Sequence, residues 1–363
     1  IMQGFDNNPA LCYNEDLAEV YRDWIKENPV QTGGWGTWPA NHPEMPVSNE
    51  LAAEAAKTSD TAVVVIGRAA GEDRELTYEE IKLTTEEAEM LSNVNNNFDN
   101  VIVLMNVGNV IDMAWRSDYE NIKGVVYVWQ GGLENGNAIA DVLSGDISPS
   151  GKLADTIATS FDYYPSSIAG FGVLDGDAWN EVYREDIYVG YRYFETFHPE
   201  QVLYPFGFGL SYTEFDISSS VSFSGGNVVV NATVTNIGDT YSGKEVIQVY
   251  YGAPQGKLGK PARELAAYAK TNEIAPGASQ TLTISFPIDN MASYDDSGVT
   301  GHESAWILEP GEYKIYVGFP FENLDNFIEE DIAYFITEVY NKINQNNDCN
   351  IVYLLPSIDM NLY

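Results

Sequence analysis

One stretch concentrates groups that could move a proton. Residues 67–75 read Gly67-Arg68-Ala69-Ala70-Gly71-Glu72-Asp73-Arg74-Glu75, with three carboxylates and two guanidiniums behind an apolar run. Crowded carboxylates do not all ionise together, so one holds its proton to higher pH, which is what a general acid near neutrality requires. The same composition also suits a solvated turn whose Arg and Asp side chains cap helix ends, because exposed ion pairs are common in acidic chains. Aromatic residues offer a second kind of chemistry. Trp35, Trp38 and Trp179 could stack on the apolar face of a pyranose ring, or simply fill a loop core. The turn Gly131-Gly132-Leu133-Glu134-Asn135-Gly136 lacks both the G-x-G-x-x-G order and the Gly-Lys-Ser/Thr ending of phosphate loops, so it reads as a tight strand-to-helix turn. His42, His198 and His302 are scattered, and Cys12 and Cys349 lie near opposite ends, which gives neither a ligand set nor a disulfide framework. No metal and no cofactor are expected.

The elements that must hold these residues follow from periodicity. Leu17, Val20, Tyr21, Trp24 and Ile25 recur at helical spacing until Pro29 stops the pattern. Residues 31–46, rich in Gly, Pro and Trp, read as a long ordered loop. After an Ala-rich helix over 49–57, unbroken apolar runs at 62–66, 101–106 and 124–129 alternate with helical patterns. That rhythm predicts a parallel sheet covered on both faces. Thr84-x-x-Glu87 is a capping box, and Gly145 ends the helix over 134–143 as a left-handed cap. In an open parallel sheet, ligands meet the loops at the carboxyl ends of the strands, which is where residues 67–75 fall. The texture changes after residue 211. Segments 228–234, 245–251, 280–286 and 312–317 alternate or are β-branched, between Gly, Asn, Asp and Pro. They predict an antiparallel β-sandwich of roughly a hundred residues. The aromatic segment Tyr204-Pro205-Phe206-Gly207-Phe208-Gly209 is expected to be pinned to a domain, and Ile328, Ile332, Phe335, Ile336, Val339, Tyr340 and Ile343 form a further apolar stripe before an Asn-rich end. The expected organisation is an α/β domain over 1–210, a β-sandwich over 211–320 and a helical, Asn-rich tail over 321–363.

Charge narrows the partners. With 18 Lys+Arg against 54 Asp+Glu the formal charge is −36, a surface that repels polyphosphates and anionic headgroups. Nucleic acid and a polybasic membrane patch are excluded, and no apolar run approaches the ~20 residues of a transmembrane helix. The first residue is Ile1, without a basic, apolar leader, so a targeting signal is expected to be absent or to lie outside this sequence.

Several separated motifs, in order, carry a resemblance. They are residues 59–68 with Gly71-Glu72-Asp73-Arg74, residues 101–108 followed by Trp129-Gln130-Gly131-Gly132, and residues 137–143. Pro149-Ser150-Gly151-Lys152-Leu153, Asp186-Ile187-Tyr188-Val189-Gly190-Tyr191-Arg192-Tyr193 and Pro205-Phe206-Gly207-Phe208-Gly209-Leu210-Ser211-Tyr212 complete the set. Together they resemble glycoside hydrolase family 3, the β-glucosidase and β-xylosidase family. Val234-Thr235-Asn236-Ile237-Gly238 and Glu245-Val246-Ile247-Gln248-Val249-Tyr250 resemble that family's fibronectin type III-like domain.

The resemblance implies a retaining double displacement shared between two domains, with an Asp nucleophile on a (β/α)8 barrel and the acid/base on the α/β sandwich. It places the acid/base in the Gly71-Glu72-Asp73-Arg74 loop, with Glu72 the chosen residue and Asp73 and Glu75 its rivals. Arg68, Asp73 and Arg74 would then orient the acid/base or touch the substrate, and Trp38 would stack on it. The expected substrate is a β-glucoside or related oligosaccharide. A barrel takes about 250 residues, which do not fit in the 43 that follow residue 320. The Trp-rich approach to the first strand looks like the group whose domain order is rearranged, so the barrel is expected after residue 320, on another chain or outside this sequence. Ser117-Asp118-Tyr119 resembles the family's nucleophile motif in letters only and reads as a surface turn. The alternative is a non-catalytic module that binds a glycan or a partner; a flavodoxin-like nucleotide binder is disfavoured by the missing phosphate motif.

Overall fold

Three short stretches of unbroken aliphatic residues build the sheet that carries the candidate chemistry. The structure, a computed structural model, describes residues 1–30, 42–68, 79–165, 185–319, 328–331 and 351–353. The chain divides into two units, one of Ile1–Ile147 with Ile157–Val182, the other of Ser148–Thr156 with Tyr183–Tyr363.

In the first unit, helices α1 (Met2–Asn7), α2 (Glu15–Glu27) and α3 (Asn49–Ala55) precede strand β1 (Thr61–Gly67). Then come α4 (Thr85–Asn97), β2 (Asn100–Asn106), β3 (Ile122–Tyr127), α5 (Asn135–Ser144) and the short β4 (Ile157–Ala158). The sheet order is β1-β2-β3 and both pairings are parallel, with Ala62 opposite Val101 and Leu104 opposite Val126. Strand β2 is central, and its Val101, Val103, Leu104 and Met105 are inaccessible to solvent. Burial on both sides is why these strands read as continuous apolar runs rather than alternating ones. Helix α4 packs on β1 and β2, and α3 packs on α4. The capping box is formed: the Thr84 hydroxyl accepts the Glu87 amide and the Glu87 carboxylate accepts the Thr84 amide. Helix α5 ends at Gly145 in the left-handed conformation, φ 83°. Helix α1, which has no strong sequence signal, lies against α5 so closely that a Cβ on Gly4 would collide with the Gly136 backbone.

In the second unit, α6 (Tyr191–Phe197) and β5 (Val202–Tyr204) lead into the strands β6 (Phe215–Ser224), β7 (Asn227–Asn236), β8 (Val246–Gly252), β9 (Glu264–Lys270) and β10 (Ser279–Pro287). They are followed by β11 (Ser293–Asp295), β12 (Ala305–Leu308), β13 (Lys314–Gly318), β14 (Ile328–Asp331) and β15 (Ile351–Tyr353). One sheet runs β10-β7-β6, and another β14-β13-β8-β9, antiparallel throughout. Strand β15 runs parallel to β12 at the edge of the small β11-β12-β15 sheet. Alternate residues of β7 and β13 point inward: Val228, Val230, Ala232 and Val234 meet Ile247, Val249, Ile315 and Val317 in one core. The alternation predicted from sequence is that of a sheet with one buried face. Two strands escape that reading. Strand β9, Glu-Leu-Ala-Ala-Tyr-Ala-Lys, is made of helix formers and is extended because it pairs with β8. The apolar stripe expected as a helix from residue 328 begins instead as strand β14, and most of the stripe lies outside the described residues.

The segment 204–209 is pinned as expected. Gly207 donates to the Leu153 carbonyl at 2.7 Å, Leu153 donates to that of Phe208 at 2.8 Å, and Lys152 Nζ reaches the Gly209 carbonyl at 2.6 Å. Gly209 approaches the Gly151 carbonyl too closely to admit a Cβ.

Candidate active site

The carboxyl end of β1 is where the sequence puts its chemistry, and the structure builds that end from four directions. Arg68 follows β1 directly, and its amide donates to the Asn106 carbonyl at 3.1 Å, extending the β1–β2 ladder by one rung. Its guanidinium turns to α4. Both terminal nitrogens bond the Glu87 carboxylate, Nη2 to Oε2 at 2.5 Å, and Nη2 also donates to the Lys82 carbonyl at 3.0 Å. Glu87 is 1% exposed because it shares the inner stripe of α4 with Met90, Leu91 and Val94. A carboxylate on such a stripe needs a cation, and a two-pronged guanidinium matches its geometry.

A third charged group comes from the other side. Glu44 is half-buried and accepts the Met45 amide at 3.1 Å. Burial pushes its carboxyl above the ordinary range and the Glu87 charge adds to this, while the Met45 amide and the Arg68 guanidinium pull it back. The charges of Glu87 and Arg68 thus both reach Glu44, in opposite senses. Neighbouring Tyr21 is raised to about 12 by burial, with Glu44 contributing. The segment bearing Glu44 is held on α2 by the Trp24 indole, which donates to the Pro43 carbonyl at 3.4 Å, and by His42 Nδ1 at 2.9 Å from the Asn28 carbonyl. Asn93 of α4 in turn donates to the Val47 carbonyl at 2.8 Å.

The far side of the site is the exit of β3. Trp129 has φ 51°, a left-handed conformation that is costly for a bulky side chain, and its ring packs against that of Tyr127 at 5.0 Å. Next to it, Gln130 Nε2 lies 3.5 Å from the Arg68 carbonyl.

Of the residues singled out from sequence, Arg68 is therefore at the strand exit, with its guanidinium committed to Glu87 and the Lys82 carbonyl. Glu72, Asp73, Arg74, Glu75 and the tryptophans Trp35, Trp38 and Trp179 lie outside the described residues. Asp118 is exposed in a 3-10 turn whose Ser117 hydroxyl bonds the Ala114 carbonyl, as a surface turn should be. Among the described residues no group of His, Cys, Asp and Glu could hold a metal ion, and no helix is long and apolar enough to cross a membrane. Glu44 is not among the residues singled out from sequence, and Glu87 is there only as a helix cap. A signal for Glu87 exists in its spacing, since it falls at i, i+3, i+4 and i+7 with Met90, Leu91 and Val94. Nothing local marks Glu44.

Comparison with known proteins gives this arrangement its context. Residues 15–212 match the glycosyl hydrolase family 3 C-terminal domain, and residues 245–319 match a fibronectin type III-like domain. A β-glucosidase of Ruminococcus albus is 46% identical over 84% of this chain, and β-glucosidase A of Butyrivibrio fibrisolvens is 39% identical over 88%. The chain spans only 32% and 43% of those two proteins. A solved β-glucosidase from Paenibacillus barengoltzii superposes with a TM-score of 0.85 at 48% identity, covering 91% of this chain and 36% of that one. β-Glucosidase 3B from Thermotoga neapolitana, in complex with α-D-glucose, gives 0.79 at 36% identity, over 92% of this chain and 46% of the other. Strand β1 with Arg68 after it, the turn after β3 and the pinned segment 204–209 all fall within the longer of the two matched regions. The α/β unit with its loops, and the β-sandwich after it, are thus two successive domains of one architecture, and the chain belongs to glycosyl hydrolase family 3.

Proposed function

We propose that this chain is the part of a retaining β-glucosidase that supplies the general acid/base, and that Glu72 is that residue. The nucleophile then comes from a (β/α)8 barrel outside this sequence, in cis or on another chain. One observation carries the reading: the segment with Glu72 leaves the carboxyl end of β1, where open parallel sheets present their ligand loops, in a chain whose relatives are named β-glucosidases.

Retention requires two carboxyl groups roughly 5 Å apart on either side of the anomeric carbon. In the first step the protonated Glu72 gives its proton to the glycosidic oxygen as the barrel carboxylate attacks carbon, and the C–O bond to the aglycone breaks. In the second step the Glu72 carboxylate takes a proton from water, which attacks the anomeric carbon and releases the barrel carboxylate. Asp73 and Arg74 orient Glu72 or contact the sugar, and Trp38 stacks on it. Arg68 serves by orientation, since its guanidinium is already occupied by Glu87.

The test is leaving-group dependence in the complete enzyme. Glu72→Ala should lower kcat/KM by roughly a hundredfold or more for alkyl β-glucosides and much less for 2,4-dinitrophenyl β-glucoside, which departs without a proton. Azide should rescue the variant and yield a β-glycosyl azide. Equal losses on both substrate classes would remove Glu72 from the role. This chain alone should leave chromogenic β-glucosides and β-xylosides intact, and hydrolysis by it without a barrel would overturn the division of labour.

A further inference from the structure

We infer that Trp129 is a specificity-determining residue: its ring stacks on the departing group of the substrate, so that ring-bearing aglycones, sugar or aryl, are favoured over small alkyl ones. It rests on the reading of this unit as the acid/base half of a β-glucosidase.

The observation is a bulky residue in a backbone conformation that suits glycine. The Val128 amide still donates to the Met105 carbonyl at 3.1 Å, continuing β3 by one rung, and Trp129 then takes φ 51°. Glycine adopts that conformation freely and asparagine with little penalty, whereas an indole there is strained. Glycine is available to this turn, since Gly131 and Gly132 follow almost at once, yet the strained position itself carries the largest side chain. Local folding gives no reason for that choice. Such strain persists where the side chain is needed at the place the strain puts it, and it gathers at ligand sites.

The ring packs on Tyr127, centroids 5.0 Å apart, and is only half-buried, so part of its surface stays open. Leu133 in the same turn is fully exposed. This turn stands at the carboxyl end of the parallel sheet, where ligands meet the loops, and Gln130 Nε2, 3.5 Å from the Arg68 carbonyl, brings it beside the exit of β1. An open indole at that place suits a neutral ring, because the C–H face of a pyranose and the face of an aryl group both match an aromatic plane. Chemistry then selects which ring. The proton goes to the oxygen of the departing group, while the barrel carboxylate attacks carbon from the opposite side. A platform carried by the proton-donating unit therefore meets the aglycone.

Trp129→Asn removes the ring and keeps a residue that tolerates the left-handed backbone. In the complete enzyme it should lower kcat/KM about tenfold for cellobiose and for 2,4-dinitrophenyl β-glucoside, and less than about twofold for methyl β-glucoside, whose aglycone has no ring. Trp129→Phe keeps an aromatic face and should restore most of the loss. Because asparagine relieves the strain, the thermal midpoint should stay within about 3 °C of the parent or rise. Packing alone would instead lower the midpoint further and all three substrates alike; that result, or no loss on any substrate, overturns the inference. Glu72→Ala in parallel separates the two readings, since it should penalise methyl β-glucoside and spare the dinitrophenyl substrate, the reverse order. If only Glu72→Ala shows its order, the platform fails and the acid/base assignment stands. If only Trp129→Asn shows its order, the assignment of Glu72 fails and the platform stands.

Discussion

Asp295 of the sandwich is buried and Glu44 of the α/β unit half-buried, and the two carboxyls are perturbed in opposite directions. In the sandwich, Asp295 is inaccessible to solvent, yet its carboxyl lies at about 2. Burial works against this, but the Thr300 hydroxyl at 2.5 Å, the Thr300 amide at 2.8 Å and the Val299 amide at 3.1 Å all donate to the charged form. In the α/β unit, burial and then the Glu87 charge raise the Glu44 carboxyl, and the Met45 amide and Arg68 offset them only in part. The sandwich's ion pairs repeat the first pattern. Lys260 and Glu309 are 2% and 4% exposed; Glu309 also takes the Lys257 amide at 2.6 Å, and Lys260 the Pro254 carbonyl at 2.8 Å. Lys152 and Glu245 pair at 2.8 Å with Lys152 also on the Gly209 carbonyl. Each of these four charges is paired with its opposite. The clusters of the sandwich are closed by matched partners, whereas burial of Glu44, with the Glu87 charge adding to it, is only partly offset by the Met45 amide and Arg68.

Four measurements can break or sharpen that contrast. The largest effect should come from Lys260→Met, which leaves Glu309 buried without its cation and should cost about 3–5 kcal/mol. Hydrogen exchange should report the loss in sandwich peptides; replacing Glu309 by Leu as well should restore most of it. A single Lys260→Met without measurable cost would mean that the closed clusters are not structural. Next, Leu104→Ala on the central parallel strand should cost about 2–5 kcal/mol, confined to peptides of the α/β unit. Thr84→Ala removes half of the capping box and should cost about 1 kcal/mol, lowering protection at the start of α4.

The smallest effects are the most diagnostic, because they differ in sign. Asp295 is depressed in the folded state, so between its unfolded value of about 4 and its folded value the unfolded chain binds the extra proton. Its stabilisation is present above about pH 4 and is lost as pH falls through about 2. Asp295→Asn should therefore flatten the acid limb of stability against pH. Glu44 is raised, so the folded chain binds the extra proton and stability falls as pH rises from about 4 through the folded value. Glu44→Gln should stabilise at neutral pH and make no difference in acid. Acid limbs altered in the same direction by both substitutions would erase the distinction between the units.

The sheet and its caps were readable because their signals are local. Apolar runs at 62–66 and 101–106, the Thr84 box and Gly145 each encode a backbone geometry within one turn or strand, and the motif order from residue 59 to 212 points to the family. The acidic composition of 71–75 suits proton transfer and a solvated turn alike, and those residues lie outside the described ones. Two things were not readable. Strand β9 is extended because β8 offers it a ladder, and its own residues would as soon be helical. The partners of Arg68 were also hidden. Its sequence neighbours Glu72 and Asp73 look like natural counter-ions, yet the guanidinium is taken by Glu87, 19 positions away.

The amino-acid order by itself thus determined the element types, the parallel and antiparallel layers and the kind of group available for catalysis, since periodicity and side-chain chemistry are properties of short stretches. Tertiary structure alone decided which charges face one another. Burial fixes the strength of each pairing, and only the packing of α4 on β1 brings Glu87 to the Arg68 guanidinium.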